Sequence, residues 1–127
     1  MSVVIDVNDL TWEEIVEKGD KPSLVMFHSP SCAYCLQMMP FFEQYAIEYK
    51  DQVNFVRMDI MGNSFTPERY GVMSTPTFKF FCSGRPVKDI VGAAYPSLLK
   101  KLVEEGFKYG EGCISNSTRI DYDMGYV

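Results

Sequence analysis

Nowhere does the chain run apolar for the roughly 20 residues that a helical membrane span needs, and it holds no cluster of lysine and arginine. Acidic residues outnumber basic ones, 17 to 12, and the net charge of -5 disfavours phosphate backbones and anionic lipid. Neither nucleic acid nor a membrane is expected as a partner. Met1 to Asp9 lacks the basic stretch and apolar core of a secretory leader, so a cytoplasmic location is the simplest expectation. Four cysteines in 127 residues are too few for a disulfide-built scaffold, which fits a reducing compartment. Zinc commonly takes four donors, and one close cysteine pair with a single histidine does not supply them, so no metal or other cofactor is expected. Internal repeats and low-complexity blocks are also missing. The length suits one hydrophobic core, and a monomer is expected.

What the chain does have is Cys32-Ala33-Tyr34-Cys35, between the apolar run Leu24-Val25-Met26-Phe27 and a helically periodic stretch from Leu36 to Tyr49. A strand that delivers Cys32 to the first turn of a helix aims backbone N–H groups and the positive helix end at its sulfur, favouring thiolate over thiol. Three residues of helix bring Cys35 onto the same face, close enough to close a disulfide with Cys32. The spacing describes a reversible dithiol switch.

Around this pair the pattern reads as alternating strand and helix. Val3 to Asp6 suits a first strand. Thr11-Trp12-Glu13-Glu14 has the form of a capping box, with Trp12, Ile15 and Val16 as the buried face of a helix that ends by Gly19 and Pro22. Ser23 to His28 is apolar without alternation, the mark of a central strand covered on both sides. Pro40 falls inside the long helix, where loss of its N–H predicts a kink. Val53 to Ile60 reads as a strand parallel to Ser23–His28, reached by crossover. Thr66-Pro67 opens a short helix that Gly71 ends. Thr77 to Cys82 and Val87 to Val91, joined through Ser83-Gly84-Arg85-Pro86, form an antiparallel hairpin. The last helix starts at Tyr95-Pro96, with Leu98, Leu99, Leu102, Val103 and Phe107 as its apolar stripe. From Gly110 the periodicity stops. A domain over 1–109 and a polar tail over 110–127 are expected.

Phe27-His28-Ser29-Pro30-Ser31-Cys32-Ala33-Tyr34-Cys35, Pro40, Tyr70-Gly71-Val72-Met73-Ser74-Thr75-Pro76-Thr77, Gly84 and Gly92 together closely resemble the thioredoxin family, over roughly residues 1 to 109. The resemblance implies the thioredoxin fold: an α/β domain with a central mixed sheet of about five strands and about four flanking helices. It implies that Cys32 and Cys35 are catalytic and that the Thr75–Pro76 peptide is cis and faces them. Thr75 would then offer its backbone to an extended substrate. Ala33, Tyr34, Met73, Pro76 and Gly92 would line the rest of the substrate surface.

Departures from the family pattern are as informative. Its usual Trp-Cys-Gly-Pro-Cys stands here as Ser31-Cys32-Ala33-Tyr34-Cys35, which puts the redox poise in question. The family's buried aspartate falls on Met26, so deprotonation of Cys35 is left to water, to His28 or to a substrate group. Arg57 takes the place of the lysine that accompanies that aspartate and is expected to point to solvent. His28 either modulates the Cys32 sulfur or is simply hydrogen-bonded and half-buried at a strand end. Cys82 and Cys113 are expected as inert buried thiols, with a regulatory disulfide between them as the alternative.

The leading expectation is a thiol–disulfide oxidoreductase acting on client proteins, recharged by a thioredoxin-reductase-like donor or by glutathione. Two alternatives stand beside it: a thioredoxin-fold client-binding module with weak redox activity, and a glutaredoxin-like, glutathione-dependent reductase.

Overall fold

The structure, a computed structural model, describes residues 3–19, 21–92 and 95–116, with side chains as far as 106. The sheet strands are β1 (Ile5–Val7), β2 (Ser23–His28), β3 (Asn54–Asp59), β4 (Thr77–Cys82) and β5 (Arg85–Val91). The helices are α1 (Ala33–Glu48), α2 (Phe65–Arg69) and α3 (Pro96–Asn116), preceded by one π-helical segment, Glu13–Glu17. Spatial order across the sheet is β1-β3-β2-β4-β5. β3 runs parallel to β1 and β2, while β4 runs antiparallel to both β2 and β5. This is the mixed sheet of the expected fold.

β2 occupies the centre because nothing in it needs water: Leu24, Val25, Met26 and Phe27 are all fully buried. Alternation sends Leu24 and Met26 to one side, against Met38 and Phe42 of α1 and Leu99 and Val103 of α3. Val25 and Phe27 go to the other, against Trp12 and Val16. Burial of each large side chain contributes about 2 kcal/mol. Trp12 is wrapped edge-on by Phe81, at 5.2 Å between ring centroids, and its indole N–H donates to the Tyr70 hydroxyl at 3.4 Å. It is a packing residue, as its spacing indicated.

Several local expectations are corrected. β1 lies at Ile5–Val7 rather than Val3–Asp6, set by pairing of Ile5 with Val56. The Thr11 capping box does not form: Asn8 holds that corner, its side-chain oxygen accepting from the N–H groups of Leu10 and Thr11 at 2.8 and 2.9 Å. The turn that follows is π-helical, closed by Lys18 N–H donating to the Glu13 carbonyl at 2.8 Å. α2 begins at Phe65, not at Thr66-Pro67, because its free N–H groups are taken from outside: Asp9 accepts from Phe65 and Thr66 at 3.2 and 2.9 Å. The β4–β5 turn needs only Ser83 and Gly84, both at positive φ, and β5 starts at Arg85 with Pro86 inside it. The pairings of Phe80 with Lys88 and Phe81 with Pro86 leave Val87 as an extra residue, so the proline falls at a bulge. α1 spans Ala33–Glu48 with Pro40 inside it, as the sequence indicated, and the Pro40 side chain is exposed.

Leu99, Leu102 and Val103 are buried as their stripe predicts, whereas Leu98 is largely exposed. The helical backbone of α3 continues to Asn116. The side chains of Phe107 and Cys113, and residues 117–127 of the expected tail, lie outside the described residues. Among the described residues, no helix is long and apolar enough to cross a membrane and no cluster of three or more histidine, cysteine or acidic side chains could hold a metal.

Candidate active site

At the carboxyl end of β2 the chain leaves the sheet through Ser29-Pro30-Ser31 and enters α1 at Cys32. The backbone there is extended, with φ -89° and ψ 105°, which makes Cys32 the N-cap of the helix. Its sulfur accepts the N–H of Cys35 at 3.1 Å, while its own N–H donates to the Ser29 carbonyl at 3.2 Å. Cys32 and Cys35 are joined by a disulfide, with Cα atoms 5.2 Å apart. The two sulfurs are unequal in reach: Cys32 is half-buried, and Cys35 is 2% exposed beneath it, in the same cluster as Met26. Once the disulfide is reduced, the Cys35 N–H and the helix end face the Cys32 sulfur, and both favour its thiolate.

Two loops close around this corner. The Thr75–Pro76 peptide is cis. The Thr75 hydroxyl lies 3.4 Å from that of Ser29, which ties the proline loop to the segment that presents Cys32. Gly92 donates its N–H to the Pro76 carbonyl at 2.8 Å, bringing the end of β5 to the same place. Gly92 has φ +93°, a conformation that favours glycine. Thr77 steadies the loop by donating its hydroxyl to the Ser74 carbonyl at 2.8 Å. Around the corner Tyr34 is 57% and Met73 92% exposed, and Val91 and Tyr95 are also open to solvent.

The family model named Thioredoxin matches residues 3–105. The chain belongs to the thioredoxin family. It is 41% identical to a thioredoxin of Streptomyces clavuligerus over 91 residues, 72% of this chain and 84% of that protein. A Haemophilus influenzae thioredoxin is 32% identical over 105 residues, covering 83% and 98% of the two chains. A chloroplastic M-type thioredoxin of Brassica napus is 33% identical over 99 residues, which is 78% of this chain but 56% of that one. The present chain thus spans nearly the whole of the bacterial thioredoxin and about half of the plant protein.

Against that family pattern the divergent positions acquire definite surroundings. Met26 is fully buried where the family has an aspartate, and it packs in the cluster that contains Cys35 and Phe78. Arg57 does not point freely into solvent as expected. Its guanidinium grips Asp6, its register partner on β1, through Nε and Nη2, and its Nη1 lies 3.4 Å from the Met39 sulfur. Asp6 is lowered below the usual carboxylate range chiefly by that hydrogen bond, and Arg57 is raised by it. The charged pair thus involves a carboxylate on β1, two strands away from Met26 on β2.

His28 follows Met26 by two residues and so shares its sheet face. Burial holds its imidazole below the usual histidine value, with Asp59, its register partner on β3, opposing that effect. One feature was not singled out from sequence as part of the site: Ser29, whose hydroxyl joins the two loops. A serine next to a proline gives no sign of its partner 46 residues away. Cys82 is corrected: it is disulfide-bonded rather than an inert thiol.

Proposed function

We infer that this thioredoxin-family protein is a thiol–disulfide oxidoreductase acting on client proteins, with Cys32 as the attacking sulfur and Cys35 as the resolving one. The observation that carries the reading is the asymmetry of the pair: a reachable Cys32 capping α1 over a buried Cys35. The Cys32 thiolate attacks a client S–S bond, forming a mixed disulfide and expelling one client thiolate. Cys35 then loses its proton, attacks the Cys32 sulfur, and expels the second. The client gains two electrons, and the Cys32–Cys35 pair becomes the disulfide.

With Met26 under Cys35, the proton goes to water, to His28 or to the departing client thiolate. Recharging takes an electron pair from a reductase partner, for which a thioredoxin-reductase-like donor and glutathione are the two candidates. We place the protein in a reducing cytoplasm, as a monomer. Thr75 would align an extended client by its backbone, and Ala33, Tyr34, Met73, Pro76 and Gly92 would form the surface around the client's disulfide.

Insulin reduction with a dithiol donor tests the reading. Wild type is expected to be active, Cys32→Ser inert, and Cys35→Ser to accumulate a client adduct on Cys32. Equal inactivity of wild type and a folded Cys32→Ser variant would overturn it. The exposed Tyr34, Met73 and Val91 also support a second reading, a client-binding module whose redox activity is weak. Client binding that survives replacement of both cysteines by alanine, without insulin reduction by wild type, would favour that alternative.

A further inference from the structure

β5 is the outermost strand on its side of the sheet, and α3 starts beside its end and runs back along it. The two do not close on each other. Between them lies a groove of about 320 Å³, lined by Lys88 and Ile90 of β5 and by Leu98, Lys101, Leu102 and Glu105 of α3. Residues 98, 101, 102 and 105 share one helix face, since they stand three, four and seven positions from the first. Lys88 and Ile90 share one sheet face, because they pair with the core residues Phe80 and Phe78. The buried Leu102 and half-buried Ile90 form an apolar floor. Leu98 forms a wall and is 45% exposed, although it falls on the stripe that should be covered.

The two ends of the groove differ. Lys88 pairs with Glu105 at 2.9 Å and closes the end away from the catalytic pole. The other end opens at Gly92, whose N–H is bound by the Pro76 carbonyl, and Ile90 lies two strand residues, about 7 Å, below it. Val91 and Tyr95 are exposed at that mouth, and the Tyr95 carbonyl accepts the Leu98 N–H at 2.9 Å. Apolar surface therefore continues from Pro76, where a client lies, to Leu98 inside the groove. The rim charges are unequal in their commitments. Glu105 is held by Lys88 and Asp89 by Lys79, at 3.1 Å, whereas the exposed Lys101 has no ion-pair partner among the described residues.

We propose that the β5–α3 groove is a specificity pocket for the client's own chain, taking an apolar side chain with an acidic neighbour a few residues from the cysteine under attack. The apolar side chain lies on Ile90 and Leu102 against Leu98, and the carboxylate meets Lys101. Continuity of the groove with the Pro76 surface favours a client segment over an unrelated ligand, because a chain held extended at Thr75 and passing Gly92 arrives at its open mouth. The proposal rests on the reading of Cys32 as the attacking sulfur and adds a preference for which disulfides it attacks.

Short peptides test it, each with a single cysteine held as a disulfide with an aromatic thiol. Leu-Glu is placed at successive distances on either side of the cysteine, with alanine elsewhere, and an all-alanine peptide is the reference for each protein variant. At least one placement should raise the second-order rate of aromatic thiolate release by reduced protein about tenfold over the reference, the scale of one buried apolar contact. Leu98→Glu should abolish that gain, and Lys101→Glu, a surface change that leaves folding intact, should shift it towards the peptide carrying Leu-Lys. No gain at any placement, or a gain that survives Leu98→Glu in folded protein, would overturn the groove and leave the redox reading standing. A gain indifferent to Lys101→Glu would overturn the acidic preference. Wild type no faster than Cys32→Ser on every peptide would overturn the redox reading and the groove's client together. A dimer in sedimentation that Leu98→Glu dissociates would give the groove to a second copy of the chain and overturn the proposal.

Discussion

Met26 shows how much one side chain can alter beneath a reactive pair. It is fully buried in the cluster that holds Cys35, so it supplies packing where a carboxylate could supply a proton acceptor. Met26→Leu keeps the volume and should cost less than about 1.5 kcal/mol in urea unfolding. Met26→Asp buries an ionisable group with no partner shown nearby and should cost about 3 kcal/mol or more at neutral pH. That loss should shrink as the solution is acidified and the new carboxyl becomes neutral in both states. An aspartate tolerated at neutral pH would mean that a cation or water reaches this site. His28 calls for a separate sign. Its folded value lies below the ordinary 6.5, so the unfolded chain binds the proton more readily. The stability it gives is complete above about pH 6.5 and declines as pH falls towards the folded value. Urea midpoints should therefore drop between pH 7.5 and pH 5, and His28→Gln should flatten part of that slope. An identical slope in the variant would refute this source.

At the scale of elements, what the sequence made legible depended on whether an element carries its own signal. β2 was readable to the residue because an apolar run between Pro22 and Pro30 has few other uses. α1 was readable from periodicity, with Pro40 inside it. The ends of α2 were not, because the groups that start it come from residues far away in sequence. Asp9 binds the N–H groups of Phe65 and Thr66, and Asn63 accepts the N–H of Asp9 itself at 2.9 Å. A cap borrowed across 57 residues leaves no local pattern such as Ser-x-x-Glu. Asp9→Ala should destabilise the protein by about 1 kcal/mol, as loss of a cap does, and expose the α2 amides to faster exchange. Asp9→Asn should recover much of that, since its oxygen still accepts. If the alanine variant matches wild type in both measurements, the contact carries no net stability.

Across the whole molecule, the mixed sheet puts its chemistry at one pole. β2 ends there, β4 begins there, β5 ends there, and α1 and α3 both start there. The residues that the family pattern marks are brought together by that convergence. It was readable because the Cys-x-x-Cys and Thr-Pro segments each mark a strand end. The Ser29–Thr75 and Gly92–Pro76 bonds that draw the loops together are long-range pairings, and neither residue type announces its partner. The same pole is rimmed by apolar side chains that the core leaves out, with Met73 almost wholly exposed beside Thr75. A flexible thioether there can conform to varied protein surfaces. A small disulfide reaches Cys32 without touching that rim, whereas a client protein must lie across it. Met73→Glu should therefore raise KM for a protein disulfide by about tenfold, the scale of one lost apolar contact. It should leave reduction of a small aromatic disulfide and the unfolding midpoint close to wild type, because the side chain packs against little of its own protein. Equal losses on both substrates would place Met73 in the chemistry of Cys32 rather than in client docking.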